Sequence, residues 1–278
     1  MIQTNKNTDN KYEELTKYLK ELGNAVIAFS GGVDSTFLLK VLKDCLGDRV
    51  LAITVISPYI PKWELEEAVN YAKELGVRHE FVEVGIPKDI LTNPIDRCYL
   101  CKSFIFNKII QKASMEGFDY VLDGTNFDDL DDYRPGLKAL KELEIKSPLL
   151  ECGLGKKEIR ELSNRMQLST WNKPPYACLL TRIPHDTVIE EKVLEKIEKA
   201  ERILMKRGIP EIRVRAHGNL ARIEVAPEKR LKFFDMDFMD EISRELKKIG
   251  FQYVTLDLEG YRTGSLTGKT YLEEDSNE

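Results

Sequence analysis

The sequence predicts an α/β protein: a doubly wound parallel sheet followed by a small C-terminal α+β domain. Three observations carry this reading. Short apolar runs alternate with amphipathic helical stretches through the first part of the chain. The first run, Ala25-Val26-Ile27-Ala28-Phe29, ends in a glycine turn that feeds straight into a helix. Beyond residue 187 the pattern changes to α-β-β-α-β.

In order, an amphipathic helix is expected over 11–22, then strand 25–29, helix 34–45, strand 50–56, helix 62–75 and strand 79–84. Helix 98–116 precedes strand 119–123. Residues 147–151 read as a further short strand and 156–167 as a helix. Residues 170–187 break the alternation. Trp171-Asn172-Lys173-Pro174-Pro175-Tyr176-Ala177-Cys178 holds two prolines and is not regular helix. The expected organisation is a first domain over 1–170, a cysteine-bearing connecting segment over 171–187 and a small domain over 188–260. That domain should contain helix 188–207, strand 211–216, a turn at His217-Gly218-Asn219, strand 220–225, helix 228–249 and strand 252–257. Residues 261–278 read as a tail, partly disordered.

Composition narrows the function classes. The chain has 278 residues, 42% hydrophobic and 32% charged, as expected of a soluble globular protein. No apolar run is long enough for a membrane span. Residues 1–11 are polar, without the apolar region of a secretory signal, so a cytoplasmic location is expected. A net charge of −5 argues against a broad nucleic-acid surface. Five cysteines in such a chain favour metal-binding or catalytic thiols over a disulfide framework.

The turn itself reads Ser30-Gly31-Gly32-Val33-Asp34-Ser35. A glycine turn at a helix N-terminus is an anion site, because unpaired backbone N–H groups and the helix dipole face one bound group. Gly31 and Gly32 let the backbone come close to a phosphate, and Ser30 and Ser35 add hydroxyl donors. Asp34 would repel a phosphate unless a cation lies between them, and Mg²⁺ is the natural one. The string is neither a Walker A loop nor a dinucleotide fingerprint. It resembles the PP-loop of the ATP pyrophosphatases (the adenine nucleotide alpha hydrolase-like fold), which split ATP between the α- and β-phosphates and adenylylate an acceptor.

The cysteines are a second signal. Cys98 and Cys101, in Arg97-Cys98-Tyr99-Leu100-Cys101-Lys102, open a helix and project to one side of it. Arg97, Lys102 and the helix N-terminus favour thiolates. Such a pair is compatible with a redox couple, half a zinc site or half an iron–sulfur site. Cys178 lies 77 residues beyond Cys101. Three thiols are one short of a Cys₄ zinc site, which would need a fourth ligand such as His185. They suit a [4Fe-4S] cluster with one iron left without a protein ligand. Cys45 reads as core. Cys152 reads as structural, although it falls near the ligand edge of the sheet.

Taken together, these pieces resemble the LarE family of ATP-dependent sulfur transferases, which build the nickel-pincer nucleotide cofactor of lactate racemase. The resemblance runs from about residue 11 to 258. It rests on the Ser30–Ser35 string, Arg97–Lys102, Asp123-Gly124-Thr125-Asn126 with Asp128-Asp129, and Arg134-Pro135-Gly136. Further on it rests on Lys173-Pro174, Ala177-Cys178-Leu179, Arg182-Ile183-Pro184, Arg213-Val214-Arg215 and Ala221-Arg222-Ile223-Glu224. The family often has Tyr-Gly where His185-Asp186 follow here. One form of the family sacrifices the sulfur of a single cysteine at the position of Cys178. The other carries three cysteines resembling Cys98, Cys101 and Cys178 on a [4Fe-4S] cluster, and this chain resembles that form.

The resemblance implies a small-molecule nucleotide substrate, pyridinium-3,5-biscarboxylic acid mononucleotide. It also implies ATP and Mg²⁺, sulfur from sulfide or a sulfur-donating protein, no nucleic acid or membrane partner, and a homo-hexamer. Adenylylation of a carboxylate turns a very poor leaving group into AMP, and a sulfide nucleophile then gives a thiocarboxylate. Ser30, Gly31, Gly32 and Ser35 are assigned to pyrophosphate, Asp34 to Mg²⁺, and Gly124, Thr125 and Asn126 to ATP or the adenylate. Asp128, Asp129, Asp131 and Asp132 read as a solvated loop or as Mg²⁺ or substrate ligands. Arg213 and Arg215 alternate on a strand and share a face with Arg222 of the facing strand. Guanidinium groups there suit the substrate phosphate, with Glu224 pairing among them and Arg134 a weaker candidate. Two competing readings are a PP-loop tRNA thiolase and a non-catalytic nucleotide- or cluster-binding regulator.

Overall fold

The computed structural model describes residues 6–130 and 135–261. These fall into two compact units. The first comprises the described residues of 6–90 and 96–176, and the second those of 91–95 and 177–261.

The first unit is a four-stranded parallel sheet of β1 (Ala25–Ala28), β2 (Val50–Ile56), β3 (Arg78–Glu83) and β4 (Val121–Leu122), in the order β3-β2-β1-β4. Helices α1 (Lys6–Leu22), α2 (Val33–Leu46), α3 (Lys62–Glu74), α4 (Arg97–Met115), α5 (Pro135–Glu142), α6 (Pro148–Glu151) and α7 (Lys156–Arg165) surround it. The period-two alternation of the strands sorts the core into two layers. Ala25, Ile27, Val50 and Ala52 pack with Leu15 and Leu19 of α1, Phe37 and Leu42 of α2, and Ile159 and Leu162 of α7. Val26, Leu51, Ile53 and Val121 pack the other way, against Phe106 and Ile109 of α4 and Leu140 of α5. The sheet is therefore doubly wound, as the sequence predicts.

The strand order matters for function. From β1 the chain runs through α2 to β2 on one side, whereas β4 returns on the other side of β1. Between β1 and β4 lies the switch point, and at the carboxyl ends of the strands this is where such sheets open a ligand crevice.

Residues 147–151 correct the sequence reading: they form the helical turn α6, not a strand. Pro148 at the first helical position has its φ preset for a helix and lacks an N–H to give to a ladder. Sheet pairing there shrinks to a bridge between Leu122 and Lys146, with Lys146 N–H donating to the Val121 carbonyl and Asp123 N–H to the Lys146 carbonyl. The expected helix 228–249 is divided. A 3₁₀ stretch over Pro227–Phe234 precedes α9 (Met236–Lys248), because Asp235 is extended and accepts at its side chain from Phe238 N–H, capping a new helix.

The second unit packs α8 (Glu191–Lys206) and α9 on a sheet ordered β5-β6-β7. Strands β5 (Ile212–His217) and β6 (Leu220–Val225) form an antiparallel hairpin, and β7 (Tyr253–Leu256) joins β6 in parallel. Residues 91–95 belong here because Asn93 donates its side-chain amide to the carbonyls of Leu180, Ile183 and Pro184. In addition, Ile189 N–H donates to the Leu91 carbonyl.

Leu42 of α2 is fully buried in the first layer. Leu42→Ala should cost about 2–5 kcal/mol in urea unfolding of the purified protein. A cost below about 1 kcal/mol would mean that this layer is not close-packed.

Candidate functional site

The Ser30–Ser35 turn occupies the carboxyl end of β1 and opens α2. Gly31 has φ +68°, and a Cβ there would stand 3.0 Å from the Ala68 Cα of α3, so the position tolerates no side chain. Gly32 is extended and caps α2 with no side-chain bond to the helix N–H groups. The Ser30 and Ser35 hydroxyls lie 3.1 Å apart, and Gly32 N–H donates to Ser30 Oγ at 3.3 Å. Hydroxyls, the Gly32 N–H and the start of α2 are thus gathered in one turn, the kind of arrangement that suits an anion. Across the switch point, Gly124 follows β4. A Cβ on Gly124 would lie 3.1 Å from Ser35 N, so the β4 exit approaches the α2 backbone closely.

Asp34 sits in the first turn of α2. Its Oδ2 is held by the Lys156 ammonium of α7, while Oδ1 is buried without a hydrogen-bond partner among the described residues. Burial pushes its carboxyl above the ordinary value, and Lys156 pulls it back in part. A buried carboxylate oxygen with nothing bonded to it, beside a phosphate-type cradle, fits a divalent cation.

Two lysines reach this turn that sequence reasoning did not assign. Lys156 opens α7, where a cation opposes the helix dipole. That local mismatch is a sequence signal of an anionic partner nearby. Lys173 comes from the Pro-rich segment. Its ammonium donates to the Gly31 carbonyl at 2.9 Å, pairs with Glu67 at 2.6 Å and lies over the rings of Tyr71 and Tyr176. Arg160 of α7 fixes the backbone here by donating to the carbonyls of Trp171 and Lys173 at 2.7 and 2.8 Å.

The Asp123–Asn126 turn is built by its own side chains. Asp123 accepts from the Thr125 hydroxyl and from the Ser147 hydroxyl at 2.7 Å. Asn126 is buried, and its side-chain carbonyl accepts from Asp128 N–H at 3.1 Å. Asp128 accepts from Lys156 N–H at 2.7 Å, and Asp129 from Asn126 N–H at 3.0 Å. The structure therefore gives Asp129 a backbone-capping bond within the loop, while Asp128 caps the start of α7. Asp131, Asp132 and Arg134 lie outside the described residues.

Cys98 and Cys101 stand in the first turn of α4, Cys98 exposed and Cys101 half-buried, with Cys101 Sγ 3.4 Å from the hydroxyl of buried Tyr59. Cys178 belongs to the second unit and caps a 3₁₀ turn over Leu179–Arg182. Among the described residues, no three His, Cys, Asp or Glu side chains are grouped as a metal cage. Cys45 and Cys152 pack against the first core layer. Burial raises both thiols, that of Cys152 to about 11, consistent with structural roles.

In the second unit the Cys178 turn hangs on Arg182, which is fully buried. Its guanidinium donates to both carboxylate oxygens of Glu201 at 2.9 and 3.1 Å, and to the carbonyls of Ala177 and Cys178 at 2.7 and 3.2 Å. Arg215 is bidentate on Glu224, at 2.9 and 2.8 Å, and also donates to the Thr181 carbonyl. Arg222 shares Glu224 at 2.9 Å and lies 3.5 Å from Asp257. Arg213 donates to the Ile212 carbonyl and stacks on the Tyr261 ring. Opposed pairs Arg213–Glu224 and Arg215–Arg222 in the hairpin register put these four side chains on one sheet face. His185 Nδ1 lies 3.3 Å from the Asn93 carbonyl.

Comparison with known proteins agrees with this geometry. The NAD synthase family matches residues 8–102, a span that contains the Ser30–Ser35 turn. An uncharacterised protein of Synechocystis is 42% identical over 260 residues, covering 93% of this chain and 97% of its own. Another relative is pyridinium-3,5-bisthiocarboxylic acid mononucleotide synthase of Lactiplantibacillus plantarum. It is 37% identical over 259 residues, which cover 92% of this chain and 93% of the synthase. The chain belongs to that synthase family, LarE. An uncharacterised protein of Methanocaldococcus jannaschii, 35% identical over 238 residues, extends the likeness over 86% of this chain and 90% of its own. The LarE match spans both units, so it includes the Cys98–Cys101 helix, the Cys178 turn and the arginine face as well as the cradle. No helix among the described residues is long and apolar enough to cross a membrane.

Asp34 yields a test with a definite sign. Its folded pKa is raised, so above that pKa the charged form costs stability. Asp34→Asn should therefore melt at the same or a higher temperature than the unaltered protein at pH 7. The difference should shrink as pH falls through the raised pKa, where the natural carboxyl is itself protonated. A lower melting temperature at pH 7 would mean that the Lys156 pair outweighs burial.

Proposed function

We propose that this protein is an ATP-dependent sulfur transferase. In this reading it adenylylates a carboxylate of pyridinium-3,5-biscarboxylic acid mononucleotide and converts it to a thiocarboxylate. The observation that carries the reading is the near full-length likeness to pyridinium-3,5-bisthiocarboxylic acid mononucleotide synthase, together with a phosphate-type cradle at the switch point of the sheet.

The cradle is assigned to the departing pyrophosphate. Ser30 and Ser35 donate their hydroxyls, Gly31 and Gly32 bring backbone close, and the N-terminus of α2 supplies the dipole. Asp34 Oδ1 is the ligand that would take Mg²⁺, which neutralises phosphate charge when bound. Lys156, now on Oδ2, balances the same carboxylate. Gly124, Thr125 and Asn126, fixed by Asp123, border the cradle where the α-phosphate and adenosine would lie. The substrate carboxylate attacks the α-phosphorus and pyrophosphate leaves. Sulfide sulfur then attacks the acyl carbon, and AMP departs with the oxygen. On the second unit, Arg222 is the part-exposed member of the arginine face and is assigned to the substrate phosphate, with Arg213 and Arg215 behind it.

The cysteines are assigned to sulfur delivery. Cys98 and Cys101 project from one helix turn, as half of a cluster site requires, and Cys178 would complete a three-thiolate set for [4Fe-4S]. Such a cluster, when bound, would leave one iron without a protein ligand to hold the additional sulfide that becomes the nucleophile. Arg182 holds the backbone of the Cys178 turn by its carbonyls, and so fixes where that thiolate stands.

Protein purified without oxygen should carry about four irons per chain with matching acid-labile sulfide. With Mg-ATP, sulfide and the biscarboxylate nucleotide it should give AMP, pyrophosphate and a thiocarboxylate identified by mass spectrometry. Cys178→Ser should lose the iron and the thiocarboxylate but keep pyrophosphate release. Zinc in place of iron, or sulfur incorporated into tRNA and not into the nucleotide, would contradict the proposal.

A further inference from the structure

Lys173 is almost fully buried, with a side chain 10% exposed. An ammonium in that position needs partners for its charge and its three N–H donors. It spends one on the carbonyl of Gly31, at 2.9 Å, and sets its charge against Glu67 of α3 and the faces of Tyr71 and Tyr176. Tyr176 is itself held edge-on by buried Trp63, with ring centroids 4.5 Å apart. Nothing in this arrangement leaves the lysine free to point elsewhere.

The Gly31 carbonyl belongs to the same planar peptide as the Gly32 N–H. In a trans peptide the two point in opposite directions, and the chain contains no cis bond among its described residues. Holding the carbonyl on the Lys173 side therefore turns the Gly32 N–H to the side of the Ser30 and Ser35 hydroxyls, where it is found. Glycine has little intrinsic preference between the two signs of φ, so at Gly31, with φ +68°, this peptide has no side chain to prevent a flip. Two peptides earlier, the Phe29–Ser30 peptide is held in the same way. Thr54 of β2 donates to the Phe29 carbonyl at 2.7 Å and lies 2.7 Å from His79 Nε2 of β3.

We infer that Lys173 is a positioning residue for the anion cradle. By clamping the Gly31 carbonyl it keeps the Gly32 N–H aimed at the bound phosphate, without itself touching that phosphate. The inference rests on reading the turn as the pyrophosphate cradle, and it adds the residue that makes the glycine-rich turn one-sided.

The test uses the full chain, with inorganic pyrophosphate and Mg²⁺ as the probe, and AMP as a control that lacks the pyrophosphate. Unaltered protein binds pyrophosphate. Lys173→Met should weaken that binding by about tenfold or more, leave AMP affinity unchanged, and shift the Gly32 amide resonance in the ligand-free protein. Lys173→Arg keeps a cationic donor and should restore most of the affinity and the amide position. Pyrophosphate affinity unchanged in Lys173→Met, or lost with the ligand-free Gly32 amide unmoved, would overturn the clamp. Equal loss of AMP and pyrophosphate would overturn it too, because the lysine would then serve general folding. If Lys173→Met does not fold, Lys173→Arg decides alone: pyrophosphate affinity lost in a folded protein contradicts the inference, and affinity kept supports it. Unaltered protein that binds neither ATP nor pyrophosphate removes the cradle reading itself, and the clamp with it.

Discussion

The proposed function places one constraint on the molecule: a backbone turn at the end of β1 would have to present its N–H groups to an anion while its carbonyls face protein. Four features meet it. Gly31 takes a left-handed φ where a Cβ would crowd the Ala68 backbone. Gly124, arriving from β4, allows the two strand ends to close on the start of α2. Lys173 and Thr54 take the carbonyls of Gly31 and Phe29. The doubly wound sheet supplies the place, because strand order reverses direction beside β1, where such sheets bind ligands. The two core layers are what hold β1, α2 and α3 in the register the turn needs.

The site carries charge that the fold alone does not favour. Asp34 is drawn into a buried position with one oxygen unpaired, and its carboxyl is raised for that reason. Lys156 offsets only part of the cost and stands at a helix start, where a cation is itself disfavoured. Such local conflicts are typical of sites kept for ligands rather than for stability. In the second unit, Arg182 is paired with Glu201, Arg215 and Arg222 share Glu224, and Arg222 also lies near Asp257.

Much of this was legible in the sequence. Alternating apolar runs gave the parallel sheet, and Ser30–Ser35 gave the glycine turn between β1 and α2, because both depend on local spacing and on residue type. The sequence also yielded the hairpin face of Arg213, Arg215 and Arg222, since period two is a property of any strand. What it did not yield were partners brought in from far along the chain. Lys156 and Lys173 reach the turn from positions more than a hundred residues away, and no local pattern says which carbonyl or carboxylate a lysine will find. Residues 147–151 misled because an apolar Leu-Leu pair satisfies a strand template, whereas Pro148 decides the conformation. Asp128 and Asp129 read in sequence as a solvated loop or as ligands, and in the structure each accepts from a backbone N–H, of Lys156 and Asn126.

The most direct test of the account is the fate of the ATP phosphates. Phosphorus NMR of the complete reaction, with Mg-ATP, the pyridinium biscarboxylate nucleotide and sulfide, reads which bond is cut. A cradle that holds pyrophosphate predicts AMP and pyrophosphate in equal amounts, formed only when the carboxylate nucleotide is present. ADP and inorganic phosphate would place the cleavage between the β- and γ-phosphates and contradict the assignment of the Ser30–Ser35 turn.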